Sequence, residues 1–158
     1  MKREFLKGFA MLMLIVALAF ATAVVSANAQ TSNKVAANIP FDFVVGDKAM
    51  PSGKYTVKAA SLQGDGLIIQ SADARSSAFR LTNAIAPQRS KTHARLVFHR
   101  YGDRYFLAEV WSGYDSPGRQ LNKSRQERAI ERELASIPSP SKLGRSTYET
   151  VEVLAVLR

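Results

Sequence analysis

The chain has 158 residues, no cysteine and a formal net charge of +9 at neutral pH. This length fits a single domain with a modest hydrophobic core. The absence of cysteine excludes disulfides, thiol catalysis and zinc sites built on thiolates. The basic balance favours acidic partners, such as anionic lipid or acidic polysaccharide.

The first 29 residues have the order of parts that a secretory signal peptide requires. A positively charged start is followed by an apolar run from Phe9 to Val25. Ala27 and Ala29 satisfy the small-residue rule for cleavage, which is expected before Gln30. No cysteine follows that point, so no lipid anchor is expected, and neither is a transmembrane segment in the mature chain. We therefore expect export by the general secretion route, giving a single β-rich domain of residues 30–158 in the periplasm or the extracellular medium.

The mature chain is predicted to be all-β, with about seven strands at the short spacing typical of an antiparallel barrel or sandwich. Apolar residues alternate with polar ones, or β-branched residues cluster, between turns rich in glycine and proline. The predicted strands are Val35–Val45, Tyr55–Ala60, Leu67–Ser71, Ser77–Ile85, Ala94–Tyr101, Arg104–Trp111 and Thr147–Leu157.

One amphipathic, charged helix is predicted at about residues 121–136, before the last strand at about 147–157. Asn122 is the candidate N-cap, and the prolines after residue 137 end the helix. Its apolar stripe is thin and includes Leu121 and Ile130. The helix is too polar for burial, so we expect it to lie along an edge or an opening of the sheet.

The turn at residues 102–103 (Gly-Asp) predicts a tight hairpin between two alternating runs. The simplest register pairs Leu96 with Glu109 and puts Glu109 on the bulkier apolar face. A charge there needs a partner, and Arg100 on the same face is the expected one. We interpret Glu109 either as a polar anchor in a ligand cavity or as half of a structural ion pair. The candidate ligand-binding residues are Arg100, Tyr105, Glu109 and Trp111.

A second candidate surface is the run of bases at the predicted helix. Its members are Arg119, Lys123, Arg125, Arg128 and Arg132. Such a surface fits an anionic envelope component or another exported protein. Nucleic acid is not an expected partner outside the cytoplasm, and the narrow stripe without aromatic residues does not favour insertion into a membrane. Because acids alternate with the bases, a simple solvated face is the competing interpretation.

The sequence offers little for catalysis. The two histidines, His93 and His99, have no third ligand at a recognisable metal spacing. A G-x-S-x-G nucleophile elbow and a phosphate-binding glycine loop are both lacking from the sequence. We therefore predict no enzyme activity, no metal and no cofactor. A hydrolase with dispersed acid and base residues is the rival class.

Five segments carry a resemblance to a known family: LIIQSAD, LTN, GRQLNKSRQERAIEREL and two longer ones with recognisable patterns. IPFDFVVGDKAMPSGKYTV contains the pattern F-x-V-G-x-x-x-M-P-S-G-x-Y-x-V, and ARLVFHRYGDRYFLAEVW contains V-F-H-R-Y-G-D-x-Y-F. The chain resembles a family of small exported proteins of acidobacteria, in which Leu and Ala are usual where this chain has Met50 and Ser52. The likeness extends over nearly the whole mature chain to about Leu134. The resemblance implies no activity, cofactor or functional residue, since the function of the family is unknown.

The function expected from the sequence is that of an exported, non-enzymatic binding protein or a protein associated with the cell envelope. The expected binding surface is the hairpin from Leu96 to Trp111 with the loop that follows it, Ser112 to Arg119. A closed barrel would favour a small apolar ligand in the interior, and an open sandwich would favour a protein or glycan on one face.

Overall fold

The computed structural model describes residues 34–61, 65–87, 93–113, 116–136 and 148–158. These residues form ten strands and one helix. In chain order they are β1 (Val35–Ile39), β2 (Phe43–Val45), β3 (Lys48–Met50), β4 (Gly53–Ala59), β5 (Gly66–Ser71), β6 (Ser77–Ile85), β7 (Arg95–Tyr101), β8 (Arg104–Trp111), β9 (Gly118–Leu121), α1 (Arg125–Ser136) and β10 (Glu149–Leu157). The predicted signal peptide, residues 1–29, lies outside the described residues. Within them, no helix has the length and apolar character needed to cross a membrane.

Eight of these strands close into an antiparallel barrel in the order β1, β4, β5, β6, β9, β8, β7, β10. The ring is complete because β9 pairs with both β6 and β8, while β10 lies between β7 and β1. Side chains therefore alternate between the interior and the outer face along every strand. The predicted all-β fold class, with a helix before the last strand, is confirmed, and the barrel is the form it takes.

The number of strands differs from the prediction because three of them are very short. The predicted strand Val35–Val45 is divided at Pro40, which cannot donate to a ladder. Lys48–Met50 lies between the predicted strands, and Gly118–Leu121 spans the end of the predicted loop and the start of the predicted helix. Strands of three or four residues show too little alternation to be recognised, and they form here because a neighbouring strand pairs with them.

One end of the barrel is filled by aromatic side chains, and we name it the closed end. Phe41 stacks on Tyr105 with 3.9 Å between ring centroids, and Phe43 meets the edges of Tyr55 at 5.0 Å and Phe98 at 5.5 Å. Phe98 is 0% exposed and Phe43 is 2% exposed. These large rings leave little free volume at this end of the interior.

The β2–β3 hairpin completes the wall at the closed end. Its strand β2 pairs in parallel with β8 at Val44 and Phe106. The Lys48 ammonium, on β3, donates to the carbonyl oxygen of Ser77 at the start of β6, at 2.6 Å. The hairpin therefore lies between β8 and β6 where the four-residue β9 does not reach.

A β-bulge in β8 corrects the predicted register of the β7–β8 hairpin. Phe98 pairs with Leu107 as predicted, but Val97 pairs with Glu109, so Ala108 is an extra residue without a partner. Beyond the bulge Leu96 pairs with Val110 rather than with Glu109. A bulge inserts one residue into one strand, which exchanges the faces of all residues after it.

The helix begins four residues later than predicted. Leu121 belongs to β9, and the N-cap of α1 is Ser124, whose hydroxyl accepts a hydrogen bond from the Glu127 N–H at 3.0 Å. Asn122, the predicted cap, instead accepts a hydrogen bond from the Asn83 side chain at 3.1 Å. The predicted helix start is extended instead of helical because β9 pairs with a strand on each side.

Candidate functional site

The end of the barrel opposite the aromatic rings contains a cavity of about 240 Å³, and we name it the open end. Its aliphatic walls come from five different strand positions: Val35, Val57, Ala59, Leu67 and Val110. Four of these are buried members of the core, and Ala59 is exposed at the rim. The cavity is thus an unfilled part of the barrel interior.

The local sequence explains why the space remains at this end. Cross-strand partners point to the same face of a sheet, and the pairs Val35 with Val57 and Ala59 with Leu67 place small or medium aliphatic groups inward. At the closed end the inward positions carry phenylalanine and tyrosine. The interior is therefore full at one end and only partly filled at the other.

Polar groups lie at the mouth of the cavity. Arg119 on β9 is opposite Val110 on β8, so it shares the inward face, and it is half-buried. Lys58, Ser112 and Ser116 also line the cavity. None of the described lining residues is acidic. The arrangement offers apolar contact in depth and hydrogen-bond donors with positive charge at the entrance.

Two wider depressions, of about 520 and 430 Å³, lie outside the closed end. The first is lined by turn residues such as Pro51, Ala72 and Asp73, and the second by residues such as Asp42 and Asp103. They lie over an interior that aromatic rings already fill. They are less suited to enclosing a ligand than the open-end cavity.

The four predicted ligand residues form two pairs on different faces of the barrel wall. The Trp111 indole N–H donates to Glu109 at 2.8 Å on the outer face, where the Arg95 guanidinium lies 4.6 Å from the centre of the Trp111 ring. The bulge at Ala108 puts both side chains there, so the prediction that Glu109 lies on the inner aromatic face is wrong.

The other predicted pair lies at the closed end. The Arg100 guanidinium is 5.6 Å from the ring centre of Tyr105, and Tyr105 stacks on Phe41. Arg100 forms an ion pair with Glu149 at 3.2 Å, so the expectation that it is the partner of Glu109 is also wrong. None of the four residues is among the described residues that line the open-end cavity.

The predicted basic surface is also divided by the structure. Arg119 lies in the cavity lining, and Lys123 forms an ion pair with Glu131. Arg125, Arg128 and Arg132 are exposed on α1. These three remain a candidate surface for an anionic envelope component, separate from the cavity.

A buried polar cluster joins α1 to the outer face of β7, and the sequence did not predict it. His99 Nδ1 lies 2.7 Å from a Glu127 carboxylate oxygen. The Tyr101 hydroxyl donates to Glu131 at 2.8 Å and contacts Glu127 at 3.3 Å. His99 and Tyr101 share a face of the strand, and Glu127 and Glu131 share a face of the helix. The two-residue spacing of His99 and Tyr101 on the strand and the four-residue spacing of Glu127 and Glu131 on the helix are visible in the sequence. They predict a contact only once the helix and the strand are known to be neighbours.

The electrostatics of this cluster favour a structural role. Burial and the hydrogen bond to Glu131 raise the pKa of Tyr101, so the phenol remains protonated and serves as a donor. Burial raises the pKa of Glu131, but hydrogen bonds from Lys123 and Tyr101 outweigh that effect and hold the pKa below its usual value. For Lys123, burial lowers the pKa, and the hydrogen bond to Glu131 more than compensates, so the net change is upward. The Glu131 carboxylate is thus held by the Lys123 ammonium and the Tyr101 hydroxyl.

In the described part of the chain, no three histidine or acidic side chains are close enough together to hold a metal ion. Comparison of the chain with family models, with curated proteins and with solved structures gives no match.

Proposed function

We propose that this protein is an exported, non-enzymatic binding protein that holds a small, mainly apolar ligand in the open end of its barrel. The observation that carries the proposal is the cavity of about 240 Å³ with its aliphatic walls. Ligand sites are typically concave and mostly apolar with a few convergent polar groups, and small β-barrels bind ligands in this position. The predicted signal peptide supports a role outside the cytoplasm.

Binding is favoured over turnover by the chemistry of the lining. General acid–base catalysis most often uses an imidazole or a carboxyl group within hydrogen-bond reach of the substrate. The described lining provides Lys58, Arg119 and two serines but neither a carboxylate nor a histidine. The buried pair of His99 and Glu127 lies on the outer face under α1 and does not line this cavity.

The proposal is tested by blocking the cavity at its rim. Ala59 is exposed and lines the mouth, so Ala59→Trp fills the space without disturbing a buried position. Titration calorimetry with 1-octanol, a neutral apolar probe, should show one site in the wild type. We expect Ala59→Trp to weaken that site by about tenfold or more, because the indole replaces the ligand volume.

The matched control is Ala72→Trp, which adds the same side chain at an exposed turn of the closed end. It should bind 1-octanol as the wild type does. Equal binding by the wild type and Ala59→Trp would show that the probe binds elsewhere and would contradict the proposal.

A further inference from the structure

We propose that the ligand is an anionic amphiphile of about ten non-hydrogen atoms, such as a medium-chain carboxylate, with its charged group against Arg119 and its tail in the aliphatic cavity. This inference rests on the proposed function and adds the chemical class of the ligand. Three features of the open end lead to it: the position of Arg119, the charge around the mouth, and the cavity volume.

Arg119 is placed to receive the head group of a ligand. Its backbone pairs with Val110 on one side and with Ala84 on the other, so strand β9 is fixed from both edges. Its side chain shares the inward face with Val110 at the mouth of the cavity. A guanidinium has five donors in a planar fork that matches a carboxylate or phosphate in a bidentate manner. A tail that extends from such a head group continues along Val110 into the barrel.

The rim around the mouth carries further positive charge. Lys34 and Arg158 exchange both backbone hydrogen bonds, at 3.1 and 2.7 Å, so they are direct cross-strand neighbours. The register of β1 and β4, with Val35 opposite Val57, places Lys58 next to Lys34 on the other side, and both alternate with inward valines, so they leave the wall on its outer face at the edge of the mouth. Of these bases, Lys58 lines the cavity. Without a nearby anion, the like charges of these neighbouring bases repel one another. An excess of positive charge at this edge of the barrel favours an anion over a cation at the mouth.

The volume sets the size of the ligand. An apolar protein cavity of about 150 Å³ accommodates benzene, which has six non-hydrogen atoms. In the same proportion, the cavity of about 240 Å³ accommodates about ten. Octanoate has this size, and it combines a saturated tail with one negative charge. Long-chain lipids exceed this volume unless most of the tail stays outside.

The experiment compares three eight-carbon probes that differ in head group: octanoate, 1-octanol and octylammonium. Calorimetric titration of the wild type should give octanoate the highest affinity, about tenfold or more above 1-octanol, because a hydrogen bond to a charged group contributes more than a neutral one. Octylammonium should bind most weakly. Added salt should weaken octanoate binding and leave 1-octanol binding unchanged.

Variants assign the effect to Arg119. Arg119→Gln should reduce octanoate affinity to the level of 1-octanol without changing 1-octanol binding. Arg75→Gln, the same substitution at an exposed turn of the closed end, should leave both affinities unchanged. Asp115 is the only acid in the sequence between Ser112 and Arg119, and it lies outside the described residues. Asp115→Asn should leave octanoate affinity equal or higher. Circular dichroism verifies that each variant is folded.

The outcomes separate this inference from the proposed function. If 1-octanol and octanoate bind the wild type equally and Arg119→Gln changes neither, the cavity binds ligands but the anionic class is wrong. A loss of octanoate affinity in Asp115→Asn would also overturn the anionic class. If neither probe binds the wild type, or if Ala59→Trp weakens neither, the proposed function itself fails.

Discussion

Ala108 is a single residue that decides where two functional candidates lie. Without a bulge, Glu109 and Trp111 would face the interior together with Phe98 and Leu107. With the bulge, both turn to the outer face, and Val110 takes the inward position in the cavity wall. Phe106, Leu107 and Ala108 are three apolar residues in a row, so the pattern around Ala108 does not fix the register and gives no sign of the bulge. The sequence predicts which residues form the hairpin, but it does not predict which face they occupy beyond the bulge.

The aromatic filling of the closed end makes a prediction at the scale of the residue. Phe98 is 0% exposed and contacts Phe41 at 5.2 Å between ring centroids. Phe98→Ala should lower the free energy of unfolding by about 3–5 kcal/mol, the usual loss for a buried phenylalanine. Urea unfolding followed by fluorescence of the single tryptophan, Trp111, measures the change.

Phe79→Ala is the control for that substitution, because Phe79 is 57% exposed on the outer face. Phe79→Ala should lower the free energy of unfolding by less than about 1 kcal/mol, as surface substitutions usually do. Similar losses for the two variants would mean that the closed end is not the stabilising centre of the barrel.

At the scale of elements, length determined what could be predicted. The strands of six residues or more show either alternation or a cluster of β-branched residues, and β5 to β8 lie where these patterns predict them. The sequence pattern does not predict the short strand β9, so the predicted helix begins too early, at Leu121. The helix also contacts the barrel differently from the expectation. Its apolar stripe predicted the contact face, whereas the buried contact is made by Glu127 through hydrogen bonds to β7.

The start of α1 gives a prediction that distinguishes the two candidate caps. Ser124 is 3% exposed and accepts the Glu127 N–H, so Ser124→Ala should cost about 0.5–2 kcal/mol of unfolding free energy. Asn122→Ala removes one exposed hydrogen bond to Asn83 and should cost clearly less. Thermal unfolding of both variants provides the comparison. If Asn122→Ala lowered the unfolding free energy more than Ser124→Ala, the N-cap would be Asn122, as predicted from the sequence.

At the scale of the whole molecule, the cavity was outside the reach of sequence analysis. Its walls come from Val35, Val57, Leu67 and Val110, on four strands that only barrel closure brings together. Arg119 was identified as a candidate by its charge, but it was assigned to a helical surface. A barrel was one of two predicted forms, and only its closed topology shows which residues share the interior.

The attachment of α1 to the barrel makes stability depend on pH. The pKa of Glu131 lies below its usual value of 4.5 in the folded protein. Its contribution to stability is therefore present above the pKa of the unfolded chain and is lost as pH falls through the folded pKa. We expect Glu131→Gln to be less stable than the wild type at pH 7, with a difference that narrows towards about pH 3.

Urea unfolding at the two pH values measures this difference, and Glu133→Gln, on an exposed part of the same helix, is the control. The control should follow the wild type at both values. A constant difference between Glu131→Gln and the wild type across this range would show that the cluster acts through its shape rather than through its charge.

The position of β10 has a consequence for how the protein is made. This strand is the last in chain order, yet it lies between β7 and β1 and joins residues that are more than a hundred positions apart, such as Val35 and Leu157. During synthesis, β1 and β7 therefore keep open edges until the final strand has emerged. Open edges invite pairing with other chains, and contacts between distant residues form slowly. The edges of β1 and β7 are thus open to pairing with other chains until the nine residues of β10 cover them.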